Sequence, residues 1–312
     1  MRTVDLFSGC GGFSLGFEQA GFQLAAAYEV WSPAIETYRR NFKHAVHELD
    51  LSNADYCSHH IGQYFPEVII GGPPCQDFSI ANNKKSTDRA NLTVEFARIV
   101  ANLKPHLFVM ENVYNIERSQ FLYDAIDVFR DAGYGLTSRV IEACRVGVPQ
   151  MRKRYFLIGH LSLHDDAFGS ALDEGLSAER MTVRDHFGPR TPFDFYYAHP
   201  RNYKRRGIFS VDEPAATIRR VNRPIPATYN LHPADKAPVT QGLRPLTTRE
   251  RAEIQTFPGT FEFQGSVSQV EQQIGNAVPV KLALYVAHAI LKTLSESKNG
   301  SLNHNLTIQE TR

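Results

Sequence analysis

The feature that most constrains this chain is a unit that recurs through its first half. A short apolar run ends in a polar or acidic residue, turns on glycine or proline, and gives way to helical spacing. Thr3-Val4-Asp5-Leu6-Phe7 reads as a buried strand, followed by the turn Ser8-Gly9-Cys10-Gly11-Gly12. Phe13, Leu15, Phe17 and Ala20 then recur on one helical face, and Gly21 stops that helix. A second strand runs from Phe22 to Tyr28 and ends in Glu29. Another, Glu67 to Ile70, runs into Gly71-Gly72-Pro73-Pro74, and a third, Leu107 to Met110, ends at Glu111. Helical patterns fill Leu92 to Leu103 and Phe121 to Ala132. Arg139 to Ala143 and Tyr155 to Gly159 read as two further strands, arranged as a hairpin. This alternation predicts a doubly wound α/β sheet with its ligands at the carboxyl ends of the strands.

The character changes near residue 184. Proline and arginine become frequent and helical periodicity fades until Thr248 to Gln255 and the stronger pattern Val280 to Leu294. The whole chain carries a net charge of only +1. Arg184 to Arg251, however, holds 13 Lys/Arg against 6 Asp/Glu, an excess of 7, so the remainder is net negative. Such asymmetry suits a surface that faces a polyanion. Four cysteines without a C-x-x-C pair argue against a zinc site, and no metal is expected. The start reads as a strand and not as a signal peptide, no apolar run reads as a membrane span, and cysteines are few; these point to a reducing cytoplasm. The tail from Ser295 is polar and reads as disordered.

Several residues stand where chemistry is expected. Gly9-x-Gly11-Gly12 lacks the third glycine of the dinucleotide fingerprint, but it lets backbone approach a ligand at a helix N-terminus. Glu29 follows about 20 residues on, where an acid holds ribose hydroxyls, and Asp50 is placed to end a third strand. Together they describe a nucleoside pocket, for NAD or for S-adenosylmethionine. Cys75, after two prolines at a strand end, is held as a nucleophile would be. Glu111 is an acid at the end of a central strand, where burial without purpose is costly. Arg152 and Arg154 project to one side of an extended segment and can anchor an anion.

The motifs, taken in order, resemble those of the cytosine-5 DNA methyltransferase family, of the bacterial modification-methylase type. They run from Asp5-Leu6-Phe7-Ser8-Gly9-Cys10-Gly11-Gly12 through Glu29, Asp50 and Gly72-Pro73-Pro74-Cys75-Gln76-Asp77-Phe78-Ser79. Then follow Arg89 to Ile99, Glu111-Asn112-Val113, Gln150-x-Arg152-x-Arg154, Arg244-Pro245-Leu246 to Phe257-Pro258, and Gln273-Ile274-Gly275-Asn276-Ala277-Val278-Pro279. The resemblance covers nearly the whole chain, and the basic stretch coincides with the place where relatives carry a target recognition domain.

The resemblance implies an α/β fold: a Rossmann-like S-adenosylmethionine-dependent methyltransferase sheet with a smaller, irregular target recognition domain. Residues 1–180 are expected to form the catalytic domain and 181–270 the recognition domain. Residues 271–294 form a C-terminal helix that returns to the catalytic domain, and 295–312 the disordered tail. Cys75 would attack C6 of a flipped cytosine, Glu111 would contact N3 and the exocyclic amine, and Arg152 and Arg154 would support the acid and the nucleotide. Phe7, Gly9, Gly11, Gly12, Glu29, Val30, Asp50, Pro74, Leu92, Asn276 and Ala277 would line the S-adenosylmethionine pocket, with Trp31 a second candidate beside the adenine. Gln76, Ser79, Arg89, Thr217, Arg219, Arg220 and Arg223 would contact double-stranded DNA, and residues 80–89 would close over it. The implied protein is a monomer, associated with the nucleoid through DNA and paired with a restriction endonuclease that acts on the same site. Transfer RNA is the alternative substrate, since one branch of the family uses it. A catalytically dead relative and a nucleotide-binding oxidoreductase fit the motifs less well.

Overall fold

The computed structural model describes residues 1–74, 91–202 and 204–309, with the side chains of 190 and 298–309 left out. Cys75, Gln76, Ser79, Arg89 and the expected closing segment 80–89 therefore lie outside the described residues, as does Tyr203.

Seven strands form one sheet. They are β1 (Arg2–Leu6), β2 (Gln23–Glu29), β3 (Ala45–Glu48), β4 (Val68–Gly71), β5 (Leu107–Val113), β6 (Gly135–Glu142) and β7 (Lys153–His160), in the order β3-β2-β1-β4-β5-β7-β6. β1 pairs in parallel with both β2 and β4, so the strand order reverses there. A crevice opens outside the carboxyl ends at such a point, which places a ligand beside the turns after β1 and β4. β7 runs antiparallel to β5 and to β6. The link from β6 to β7, residues 143–152, is too short for a crossover helix, so the chain must reverse.

Helices cover both faces. On one, α1 (Gly12–Gln19) packs Phe13 and Phe17 with Leu282, Val286 and Ile290 of α10 (Val280–Gln309) against Val68, Ile70 and Val109. On the other, α3 (Ala54–Gly62), α4 (Leu92–Leu103) and α5 (Gln120–Asp131) bury Ile61, Phe96, Val100 and Phe129 against Val4, Phe108 and Met110. The bounds of α4 follow from the sequence. The Asn91 side chain accepts from Thr93 N at its start, and Lys104 ends it in the left-handed region at φ 47. The helical stretch from Val267 to Ser297 is apolar and long enough to cross a membrane, contrary to the sequence reading. Its apolar window is 67% buried inside the protein, as the core side of the sheet requires.

A third core joins the sheet to the irregular segment. Tyr38 of α2 (Ser32–Asn41) and Phe42 just after it join a cluster with Tyr196, Ile218, Leu246, Phe257 and Ile274. Among the described residues of this segment β8 (Phe195–Tyr197) and β9 (Ile208–Ser210) pair, with the short helices α7 (Val183–Phe187) and α8 (Thr248–Ile254), while α6 (Gly169–Glu174) packs in the core with α10. The expected return from residue 271 is two helices. α9 (Val267–Asn276) ends before Ala277-Val278-Pro279, and α10 follows. Proline cannot continue a helix without losing a hydrogen bond. α10 runs on to Gln309, past residue 295 where polar composition suggests a disordered tail.

Candidate active site

At the carboxyl end of β1 the chain is held in a conformation that side chains rarely adopt. Phe7 has φ 60, Gly9 φ 55 and Gly11 φ 98. The three glycines serve different needs. A Cβ on Gly11 would come 2.3 Å from the Phe42 ring, and one on Gly12 would come 2.3 Å from the Val278 carbonyl oxygen. A Cβ on Gly9 would meet nothing within 4 Å. Gly11 and Gly12 are thus required by packing against α2 and the Ala277-Val278 turn, and Gly9 alone faces open space.

Glu29 fixes this loop. One carboxylate oxygen accepts from Gly9 N at 2.8 Å, and the other accepts from Val30 N at 2.8 Å and Trp31 N at 2.9 Å. Each oxygen has two lone pairs, so acceptor capacity remains for a ligand hydroxyl. Ser8 Oγ, in the residue before Gly9, is buried with no partner, an orphan polar atom within the same turn. Val30 is 60% exposed, Trp31 half-buried, and Asp50 lies exposed two residues beyond β3. Leu92 opens α4, Pro74 is exposed beyond β4, and Asn276 is exposed at the end of α9. The loop, the acid and the orphan hydroxyl together fit a nucleoside ligand with hydroxyl groups to satisfy.

Behind the loop runs a buried chain of hydroxyls. Ser14 Oγ donates to Asp5 Oδ2 at 2.5 Å and lies 2.6 Å from Tyr38 Oη, which is 2.7 Å from His44 Nε2. Burial pushes the Asp5 carboxyl from 3.8 up to about 8, against the smaller pull of the Ser14 bond. Between those values the folded chain holds a proton that the unfolded chain has released, so stability falls as pH rises through that window. We expect the wild-type protein to lose about 2 kcal/mol of unfolding free energy between pH 6 and 8 relative to Asp5→Asn, at about 1.4 kcal/mol per pH unit. Urea titrations at the two pH values test this, and parallel pH dependences in the two proteins would reject it.

The second half of the site lies on β5 and β7. Glu111 and Asn112 lie within β5, paired with Phe156 and Tyr155, and do not follow the strand as the sequence suggests. An acid inside a buried strand breaks the apolar run and so mimics its end. Glu111 Oε1 pairs with Arg154 Nε at 2.8 Å, and their side chains are only 11% and 13% exposed. Burial pushes the Glu111 carboxyl above its ordinary value, while the Arg154 and Arg152 guanidiniums pull it back. Gly72 faces this acid, since a Cβ there would sit 3.2 Å from Glu111 Oε2. Asn112 Nδ2 donates to the Pro73 carbonyl at 2.8 Å. The strand that carries the acid therefore also fixes the Pro73-Pro74 segment that leads to Cys75.

Arg152 departs from its expected contact. Among the described residues Arg154, and not Arg152, pairs with Glu111. Instead the Arg152 guanidinium donates to the Ile218 carbonyl at 3.0 Å, Gly275 at 3.1 Å and Ala277 at 3.0 Å. A buried cation without a contacting carboxylate is costly unless its donors are occupied; here Nη1 and Nη2 are bonded and tie the segment before β7 to residues 218 and 275–277, while Nε is buried without a partner. Sequence reasoning missed the neighbours of this clamp. Gln150 Oε1 accepts from Ile218 N at 2.8 Å, its Nε2 donates to Gln255 Oε1 at 2.8 Å, and Thr217 Oγ1 donates to the Met151 carbonyl at 2.5 Å. The signal available was Gln150 itself, a polar residue after Val148-Pro149 whose burial obliges it to find partners.

The basic stretch sorts into two sets. Arg184 pairs with Asp194 and Asp212, Arg206 with Glu213, Arg244 with Glu250, and Arg251 with Glu271. Arg201, Lys204, Arg205, Arg219, Arg220 and Arg223 have no carboxylate partner among the described residues. The excess charge seen in the sequence is therefore uncompensated, and Arg201, Arg205 and Arg219 line one cavity of about 300 Å³ beside Thr217 and Tyr197.

The family model described as C-5 cytosine-specific DNA methylase matches residues 1–292. The chain is 53% identical over 293 residues to the Type II methyltransferase M.HindV of Haemophilus influenzae, covering 93% of this chain and 96% of that one. It is 50% identical over 304 residues to the Type II methyltransferase M.HgiDI of Herpetosiphon aurantiacus, covering 97% and 98%. Among solved structures, the S. pombe Dnmt2 methyltransferase superposes with a TM-score of 0.69 at 17% identity, covering 94% of this chain and 99% of that one, which shows the shared fold.

Proposed function

The chain belongs to the C-5 cytosine-specific DNA methylase family, and on that premise we propose that Cys75, Glu111 and Arg154 form its reaction centre. The enzyme transfers a methyl group to carbon 5 of cytosine in DNA and depends on S-adenosylmethionine. The observation that carries the assignment of residues is the buried Glu111–Arg154 pair on the strand whose Asn112 holds Pro73.

In this reading the Cys75 thiolate adds to C6 of the pyrimidine, forming an S–C6 bond and making C5 nucleophilic. Glu111 donates a hydrogen bond or proton at N3, so that negative charge does not build on the ring. Arg154 holds the Glu111 side chain in place. The bound donor supplies an electrophilic methyl group, which C5 accepts. Loss of the C5 proton to a base then expels Cys75 and restores the C5–C6 double bond. Glu29 and the open face of Gly9 would hold the donor, with Phe7, Val30, Asp50, Pro74, Leu92, Asn276 and Ala277 around it. A base within a duplex is out of reach of this centre, so the cytosine is flipped out of the stack.

Residues 181–270 act as the recognition domain, and their unpaired arginines meet the DNA. The Type II naming of both relatives supports a companion restriction nuclease that cuts the same sequence. Incubation with labelled donor and duplex DNA or transfer RNA tests the reading. Label should enter DNA alone, and binding should weaken steeply with salt. Label in transfer RNA, or a flat salt response, would reject it.

A further inference from the structure

Three arginines follow the Thr217-Ile218 dipeptide, and they are not held alike. The backbone of Arg219 is constrained from both sides. Ile218 before it is bonded through its N–H to Gln150 and through its carbonyl to Arg152. The Arg219 carbonyl accepts from Arg251 Nη2 at 2.5 Å, and Gly275 lies so close that a Cβ there would come 2.3 Å from the Arg219 carbonyl carbon. Arg251 is itself fixed by Glu271, which also accepts from Thr248 Oγ1 at 2.7 Å. The Arg219 side chain is half-buried, and one Nη2 donor is bonded to the His199 carbonyl. Arg220 and Arg223 are exposed, and neither side chain has a hydrogen-bond or carboxylate partner among the described residues.

We propose that Arg219 reads a guanine edge in the DNA major groove while Arg220 and Arg223 contact phosphates, an assignment that rests on the reading of the chain as a DNA cytosine methyltransferase. The reason is preorganisation. Reading a base requires a guanidinium fork held in one orientation, because guanine O6 and N7 accept two parallel bonds. With one Nη2 donor bonded to His199, Arg219 keeps four of its five donors for that purpose. A phosphate asks only for charge within reach, which mobile exposed arginines supply.

Position supports the same division. Thr217 is bonded to Met151 and Ile218 to Arg152, and two residues on in β7 Arg154 pairs with Glu111. The recognition loop is thus anchored to the segment that leads directly into β7, the strand that carries Arg154. Arg219 follows that anchored dipeptide directly and lines the cavity beside it. The cavity it lines also holds Arg201 and Arg205 and is lined by no carboxylate among the described residues, so nothing competes with the nucleic acid for the fork.

The test is bisulfite sequencing of plasmid methylated in cells by the wild type, Arg219→Ala, Arg219→Lys, Arg220→Ala and Arg223→Ala, together with DNA binding at several salt concentrations. The wild type should mark one sequence. Arg219→Ala and Arg219→Lys should raise methylation at sites altered at one guanine, so that discrimination at that position falls about tenfold or more. Lysine keeps the charge but lacks the fork, so its salt slope should match the wild type. Arg220→Ala and Arg223→Ala should keep the sequence preference and each lower the salt slope by about one. The proposal fails if Arg219→Lys retains full discrimination. It also fails if the Arg219 variants lower all sites alike, or if Arg220→Ala or Arg223→Ala changes the sequence read. A wild type that marks no cytosine would instead overturn the functional reading itself.

Discussion

Cys75→Ser is expected to lower methyl transfer to DNA by about four orders of magnitude or more, the scale on which enzymes lose activity when a covalent nucleophile is removed. Cytosine C5 is a poor nucleophile, and the proposed route to activate it is addition of sulfur at C6. A serine hydroxyl stays protonated near neutral pH and adds far more slowly. Duplex DNA with 5-fluorocytosine at the target gives a second readout. Fluorine replaces the proton whose loss would expel Cys75, so the S–C6 bond persists and a denaturation-resistant protein–DNA adduct should accumulate with the wild type alone. Serine at wild-type speed, or no adduct with the wild type, would remove Cys75 from the centre. The placement of its neighbours makes this a demanding test. Asn112 fixes the Pro73 carbonyl and Gly72 abuts Glu111 Oε2, so a nucleophile that follows Pro74 starts from a fixed anchor close to the acid.

Much of this arrangement was legible because it is local. β1, the glycine turn, α1 and β2 follow from apolar spacing and stop residues, and α4 matches its expected bounds from Leu92 to Leu103. The antiparallel pair β6–β7 was legible as two strands close in sequence. What escaped depends on partners distant in the chain. The role of Arg152 follows from carbonyls at 218, 275 and 277, and nothing in Gln-Met-Arg reveals them. The packing demand for glycine at 11 and 12 comes from Phe42 and Val278, both distant in the chain. α9 was hidden differently. Ser266 and Gln269 form a capping box at its start, but its polar composition weakens the apolar stripe on which the sequence reading relied.

Glu111→Gln is expected to lower kcat/KM by about 10² to 10⁴, the usual contribution of a general acid. The direction of its pH dependence follows from the pair. Burial raises the Glu111 carboxyl above its ordinary range, and the guanidiniums of Arg154 and Arg152 limit the rise. A raised acid keeps its proton below its folded-state pKa and gives it up above, so wild-type activity should decline on the alkaline side as the donor form disappears. Glutamine does not titrate. Its residual activity should lack that limb while the limb that belongs to the Cys75 thiolate persists. The substitution also removes the carboxylate that faces Arg154, and breaking a buried pair on one side costs about 3–5 kcal/mol. Unfolding must therefore be measured beside rate. A variant that is folded at the assay temperature, slow, and flat on the alkaline side fits a proton donor. One that is destabilised yet fast, or that keeps the wild-type alkaline limb, shows that Glu111 serves only to pair with Arg154. The geometry favours the first outcome, because Arg154 Nε bonds Oε1 and leaves Oε2, on the Gly72 side, outside that ion pair.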